Sequence, residues 1–309
     1  MNKRFHGVIT PMVTPLLDRD TLDNNGLERL ICHLISGGVH GIFILGSTGE
    51  AQGLGYRLRR ELIKRTCDLV KGKVPLLVGV TDTAFTETVS LAHYAADHGA
   101  DGLVVSTPYY FPAGQEELQE YLHHLSKELP LPTMLYNNPK NTKIAFEPTT
   151  VQLATQLERY VGVKDSSGDM VYFHQLLHLS TDRKDWVLLI GPEALLAEAV
   201  LLGGDGGVPG GSNLFPELYV ELYEMSLASN IERMTALHSE IIRLSNTIFH
   251  VGRYSSSFIK GLKCALNCLG ICNDFMEEPF HRFHPEQRHA IEQYLREMGA
   301  TVSNPRLSI

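Results

Sequence analysis

Lys164 closes a short apolar run, Val161-Gly162-Val163-Lys164-Asp165-Ser166, and a lysine where a buried strand meets its loop is the residue best suited to chemistry in this chain. An ammonium there must be paired, reach water or give up its proton. In the last case it is a nucleophile able to form a Schiff base with a ketone or aldehyde. The other readings are a strand-end lysine paired with Asp165, or one whose head extends to solvent along its own methylenes. Schiff-base chemistry also moves protons at the amine, at the departing water and at the carbon-carbon bond, so a lone lysine is not enough. Tyr136, one strand away, carries a phenol that could shuttle such protons, or that simply fills a half-buried position. The turn Gly46-Ser47-Thr48-Gly49 gathers hydroxyls and backbone donors, either to receive a small carboxylate or to start a helix as an ordinary N-cap.

These residues need elements to hold them. Apolar or β-branched runs recur at Gly7 to Thr10, Gly41 to Leu45, Leu76 to Val80, Gly102 to Val105, Thr133 to Tyr136, Val161 to Lys164, Val187 to Ile190 and Asp205 to Val208. Between them, Asn25 to Ser36, Gly55 to Lys71, Thr86 to His98, Gln115 to Glu128, Pro148 to Glu158, Val171 to Ser180 and Glu193 to Leu202 carry apolar residues at helical spacing. Strand runs alternating with helix-length segments predict an α/β fold, an eight-stranded (β/α)8 TIM barrel. From Pro216 onward the pattern is helical without strands, through Glu217 to Ala228, Ile231 to Phe249, Tyr254 to Leu269 and Pro285 to Met298. The expected division is therefore a barrel core over 1–215, then the last barrel helix and a C-terminal helical extension over 216–309. A doubly wound sheet is disfavoured, because Gly46-Ser47-Thr48-Gly49-Glu50 has neither a dinucleotide fingerprint nor a phosphate-loop lysine.

Composition narrows the partner. A formal charge of −8 with dispersed lysine and arginine argues against nucleic acid or an anionic membrane and for a small molecule. No apolar stretch reaches membrane-spanning length, and the basic start Met1-Asn2-Lys3-Arg4 lacks a following signal-peptide core, so a cytoplasmic protein is expected. The five cysteines have no paired short spacing, which fits reduced thiols. Cys264, Cys268 and Cys272 read as buried packing, and His281 and His284 as loop residues; no metal site is expected.

Strand carboxyl ends carry the active sites of such barrels. Here they bring Ser47 and Thr48, Tyr109 and Tyr110, Tyr136 and Asn137, Lys164, Glu193, and Gly210-Gly211-Ser212-Asn213. Taken in order, Gly46-Ser47-Thr48-Gly49-Glu50, Thr107-Pro108-Tyr109-Tyr110, Tyr136-Asn137-Asn138-Pro139 and Gly162-Val163-Lys164-Asp165-Ser166-Ser167-Gly168 resemble the pyruvate-dependent class I aldolases of the dihydrodipicolinate synthase and N-acetylneuraminate lyase family. The likeness spans nearly the whole chain. It implies that Lys164 forms the Schiff base with pyruvate or the pyruvate half of a 2-oxo acid, that Tyr136 is the general acid/base, and that Ser47 and Thr48 hold the carboxylate and relay a proton. It also implies that Tyr110 is lent across a dimer interface in a homotetramer built as a dimer of dimers, with no diffusible cofactor.

Two departures bear on substrate. Asn141 stands where the synthases typically carry an arginine for a second carboxylate, and an amide cannot supply that charged bidentate grip. Pro192 precedes Glu193 where sialic acid lyases usually have an aspartate for the sugar chain, although Glu193 could still hold hydroxyls. Gly210 to Pro216 is similar to the matching region of 2-keto-3-deoxy sugar acid aldolases, and Gly210 and Ser212 there, with Ser166 after the lysine, are expected substrate contacts. The expected reaction is reversible cleavage of a 2-keto-3-deoxy sugar acid to pyruvate and an aldehyde. The competing readings are a dehydratase of the same acids, an N-acetylneuraminate lyase, a 4-hydroxy-tetrahydrodipicolinate synthase, or a pyruvate-binding regulator without turnover.

Overall fold

The computed structural model describes residues 3–179 and 183–302. Strands β1 (Gly7–Pro11), β4 (Gly41–Ile44), β5 (Leu76–Gly79), β6 (Gly102–Ser106), β7 (Thr133–Asn137), β8 (Tyr160–Asp165), β9 (Val187–Ile190) and β10 (Gly206–Gly207) are all parallel and close into one barrel, β10 pairing back to β1. A small antiparallel hairpin, β2 (Leu16–Asp18) with β3 (Thr21–Leu22), lies outside it. Strand alternation divides the apolar residues between two cores. Phe5, Ile9, Phe43, Leu77, Val104, Met134, Val187, Leu189 and Val208 fill the barrel interior. Val8, Ile42, Ile44, Val78, Leu103, Val105, Leu135, Val163, Leu188 and Ile190 face outward onto the helices.

The outer ring follows the predicted periodicity: α1 (Asn24–Ser36), α2 (Tyr56–Val70), α3 (Phe85–Asp97), α4 (Gln115–Glu128), then α6 (Pro148–Thr155), α7 (Met170–Leu179) and α8 (Leu196–Leu201). The eighth barrel helix is α9 (Pro216–Leu227), and the extension comprises α10 (Ile231–Thr247), α11 (Ser257–Cys268) and α12 (Pro285–Glu297). Cys264 and Cys268 are buried on α11 and Cys272 just beyond it, while His281 lies in a loop and His284 caps α12. The Ser180 end of one predicted helix, and residues Met1, Asn2 and 303–309 of the predicted segments, lie outside the described residues.

Three local differences from the sequence pattern have physical causes. The eighth strand is only two residues, because Gly206 has φ +143° and approaches Gly7 so closely that a Cβ would sit 2.1 Å from the Gly7 carbonyl oxygen. A one-turn helix α5 (Pro139–Thr142) follows β7, started by proline at its first position. The hairpin escaped notice because its strands are three and two residues long.

One buried ion pair ties the extension to the barrel. Lys263 on α11 donates to Glu50 Oε1 at 2.6 Å, both side chains being almost fully buried, and the Glu277 amide donates to Glu50 Oε2 at 2.9 Å. Glu50 itself adopts φ +56°, a left-handed conformation uncommon for a side-chain-bearing residue, so its anchorage fixes the end of the Gly46–Glu50 turn. Removing one partner strands the other as a buried charge. Lys263→Met is therefore expected to lower the unfolding free energy by about 3–5 kcal/mol in denaturant titration; an unchanged midpoint and slope would contradict this role.

Candidate active site

At the carboxyl ends of the strands a cavity of about 750 Å³ opens, and Lys164 stands on its floor. Register pairs Lys164 with Tyr136 on one side and Leu189 on the other. The lysine is 6% exposed, with Nζ 4.1 Å from the centroid of the Tyr136 ring and 5.2 Å from that of Phe43. Asp165, the next residue, points to the opposite face of the strand. Its carboxylate accepts from Asn137 Nδ2 at 2.8 Å, the Ser167 amide at 3.1 Å and the Ser167 hydroxyl at 2.8 Å. Asp165 therefore serves the β7–β8 junction and does not neutralise Lys164, which removes one of the ordinary explanations for the lysine. Burial also leaves it little water to reach.

The charge state follows from this setting. Burial pulls the Lys164 amine below the ordinary lysine range, against the opposing pull of Tyr136. For Tyr136, burial pushes the phenol up, but the Lys164 charge and hydrogen bonds from Ser47, Ser166 and Lys164 outweigh it, so the phenol titrates below its usual range. The two groups are thus coupled, the titration of each depending on the charge of the other.

Ser47 and Thr48 line the cavity in a turn closed by the amides of Gly49, Glu50 and Ala51, so the Ser47 and Thr48 amides are not consumed by it. The helix that follows begins only at Tyr56 and is capped by Gly55. The N-cap reading of Ser47 and Thr48 is therefore wrong, and the turn is open to a carboxylate. The Ser47 hydroxyl lies 3.5 Å from the Tyr136 oxygen. Ser166 reaches the same space, packed so tightly over Gly191 that a Cβ there would fall 1.9 Å from its Oγ.

Other predicted residues are placed differently. Tyr110 is 97% exposed with φ +83° and does not line this chain's cavity; Tyr109 does. Ser212 is fully buried, its hydroxyl donating to the Pro209 carbonyl and sharing a second hydrogen bond with Thr10 Oγ1, which leaves it structural bonds and no place on the cavity wall. Gly210 and Glu193 are on the wall. Glu193 accepts from the Tyr219 hydroxyl at 2.6 Å and the Gly211 amide at 2.8 Å, so its oxygens brace the Gly210–Gly211 turn. Burial raises its pKa against those bonds.

Sequence reading missed Asn138, which donates to both the Tyr136 oxygen and Ser47 Oγ, and the outer wall from the extension, including Phe258, Glu277, Glu278 and Phe280. Alternation from inward Tyr136 through outward Asn137 was a signal for Asn138. Nothing local marked Glu277, which reaches the cavity through a contact with Glu50 that spans 227 residues.

The profile of the Dihydrodipicolinate synthetase family matches residues 4–298. The chain belongs to this family. Its relatives include the 4-hydroxy-tetrahydrodipicolinate synthase of Methanopyrus kandleri, 30% identical over 97% of this chain and 98% of that one. The "Probable 2-dehydro-3-deoxy-D-pentonate aldolase" of Escherichia coli (strain K12) is 30% identical over 87% of this chain and 89% of that one. Among solved structures, the dihydrodipicolinate synthase of Bacteroides thetaiotaomicron is 50% identical, with a TM-score of 0.93 over 96% of this chain and 100% of that one. YagE, a prophage protein of the same family from E. coli K12 solved with pyruvate, is 27% identical, with a TM-score of 0.90 over 96% and 99%. The chain is accordingly a pyruvate-dependent class I aldolase, a lyase that works through a Schiff base on a small 2-oxo acid. No described helix is long and apolar enough to cross a membrane.

The dry setting of Lys164 has a direct test. Titration of ¹³C-labelled lysine followed by NMR, with Lys164→Ala for assignment, is expected to put the Lys164 midpoint below the ordinary lysine value of about 10.4, since burial favours the neutral amine. A midpoint at or above that value would contradict the geometry.

Proposed function

We propose that Lys164 is the Schiff-base nucleophile, Tyr136 the general acid/base, and the Ser47-Thr48 turn the site of the pyruvate carboxylate, in an aldolase that reversibly cleaves a 2-keto-3-deoxy sugar acid. The neutral amine adds to C2, and loss of water from the carbinolamine gives an iminium. Tyr136 takes the proton of the C4 hydroxyl as the C3–C4 bond breaks and its electrons move into the iminium. An aldehyde leaves, the enamine is protonated at C3, and hydrolysis releases pyruvate and restores the amine. In the synthetic direction the same steps run backward.

The observation that carries the substrate reading is the charge of the outer wall. Glu277 and Glu278 line it, no arginine does among the described residues, and Asn141 occupies the α5 position where a carboxylate-binding arginine is expected. Carboxylates and amides suit hydroxyls, the carboxylates repel a second acid group, and a neutral amide cannot give it an arginine's charged grip. The E. coli pentonate aldolase relative supports the same assignment.

A second reading, 4-hydroxy-tetrahydrodipicolinate synthase, has the greater weight of the comparisons, since the M. kandleri relative and the B. thetaiotaomicron structure both bear that activity in their names. Lys140 on the wall is a cation that could meet a carboxylate-bearing aldehyde. Either reaction is compatible with a dimer in which Tyr110, exposed in one chain, completes the partner's site, within a homotetramer.

Parallel assays separate the two. Pyruvate release from 2-keto-3-deoxygluconate is expected to exceed condensation of pyruvate with aspartate semialdehyde in kcat/KM; the reverse order would establish the synthase reading instead. Asn141→Arg is expected to raise kcat/KM for the carboxylate-bearing aldehyde by roughly tenfold, the worth of a hydrogen bond to a charged group. No gain would show that position 141 does not read the second substrate.

A further inference from the structure

Asn138 is an N-cap residue that does not cap. Its backbone starts α5, its carbonyl accepting from the Asn141 and Thr142 amides at 3.0 Å each and from the Thr142 hydroxyl at 3.1 Å. An asparagine at such a position ordinarily turns its side chain onto the helix amides. Here no side-chain cap bond forms. The side chain points into the barrel instead, only 6% of the residue is exposed, and its Nδ2 lies 3.0 Å from the Tyr136 oxygen and 3.3 Å from Ser47 Oγ. In this orientation the amide nitrogen faces two hydroxyl oxygens, each able to accept from it.

Counting donors and acceptors fixes the direction of the network. A serine hydroxyl has two lone pairs and one proton. Ser47 accepts from Asn138 and also from Asn141 Nδ2 at 3.4 Å, which fills both lone pairs and turns its proton toward the Tyr136 oxygen. The Tyr136 oxygen then receives Asn138 and Ser47 in addition to its hydrogen bonds with Ser166 and Lys164. The Asn138 contact is the shortest of the set and reaches both oxygens, so the arrangement depends on it most.

We propose that Asn138 is a positioning residue for the reaction, whose side-chain amide, seconded by Asn141, sets Tyr136 and Ser47 so that the tyrosine oxygen is held as a proton acceptor and stabilised as phenolate. The residue that replaces the expected arginine thereby joins the proton-transfer network while giving up recognition of a second carboxylate. This inference rests on the proposed role of Tyr136 as acid/base.

Exchange of the pyruvate methyl protons with deuterium, followed by NMR across pH, tests the proposal without choosing between second substrates, because it needs only imine formation and proton removal at C3. In Asn138→Leu the acid limb of the profile is expected to move to higher pH, since loss of a donor disfavours phenolate, and exchange at neutral pH to fall roughly tenfold. Asn138→Asp, isosteric and able to place a negative charge beside the oxygen, is expected to move the limb further the same way. Asn141→Ala, at an exposed position, is expected to give a smaller shift, and Asn138→Gln to restore part of the wild-type profile. Thermal melts of each variant control for folding. Profiles that keep the wild-type midpoint in folded Asn138→Leu and Asn138→Asp would overturn the proposal. Wild-type protein that exchanges no methyl protons would overturn the proposed function itself, and this inference with it.

Discussion

The site depends on the in-register pairing of β7 with β8. That pairing sets Tyr136 opposite Lys164 and turns both toward the barrel axis, above Phe43, Val104 and Leu189. A slip of one residue would reverse every side chain on the strand, carrying Asp165 inward and Lys164 onto the helices. The apolar outward set of Leu135 and Val163 holds the register against such a slip, and the Asn137–Asp165 bond pins its outer end. The reactive pair thus inherits its geometry from the core. A lysine displaced toward water would regain its full basicity and lose the phenol as proton partner.

The second constraint joins distant parts of the chain. The Gly46–Glu50 turn carries Ser47 and Thr48 to the cavity, and its last residue is locked by Lys263 from α11. The extension therefore completes the outer wall and fixes the turn that carries Ser47 and Thr48. A single buried carboxylate, Glu50, serves both purposes by accepting from Lys263 and from the Glu277 amide. Lys164 and Tyr136 stand on the floor of the cavity, and α5 and the extension build its outer wall.

Barrel, extension and the buried strand-end position of Lys164 were legible in the sequence because each leaves a local mark. Parallel strands covered on both sides read as short apolar runs, and Lys164 stands out as a charge at the end of one. Residues whose work depends on distant partners were harder. Ser212 looked available because its motif is polar, yet Thr10, 202 residues away, takes its hydroxyl. Glu193 looked like a hydroxyl binder and is braced by Tyr219 from α9. Asn138 followed by Pro139 has the pattern of a helix start, which it is, and the pattern says nothing of a side chain turned away from the helix. Glu277 came to the wall only through the folding of the extension over the barrel.

The central claim is that Lys164 is the buried amine that captures the 2-oxo acid. Its most direct test is reduction with sodium borohydride in the presence of pyruvate, followed by intact-protein mass and peptide mapping of wild type and Lys164→Ala. The account predicts a pyruvate-dependent adduct on Lys164 that is absent from the variant. An adduct on another lysine, or none under conditions that trap a known pyruvate aldolase, would contradict it.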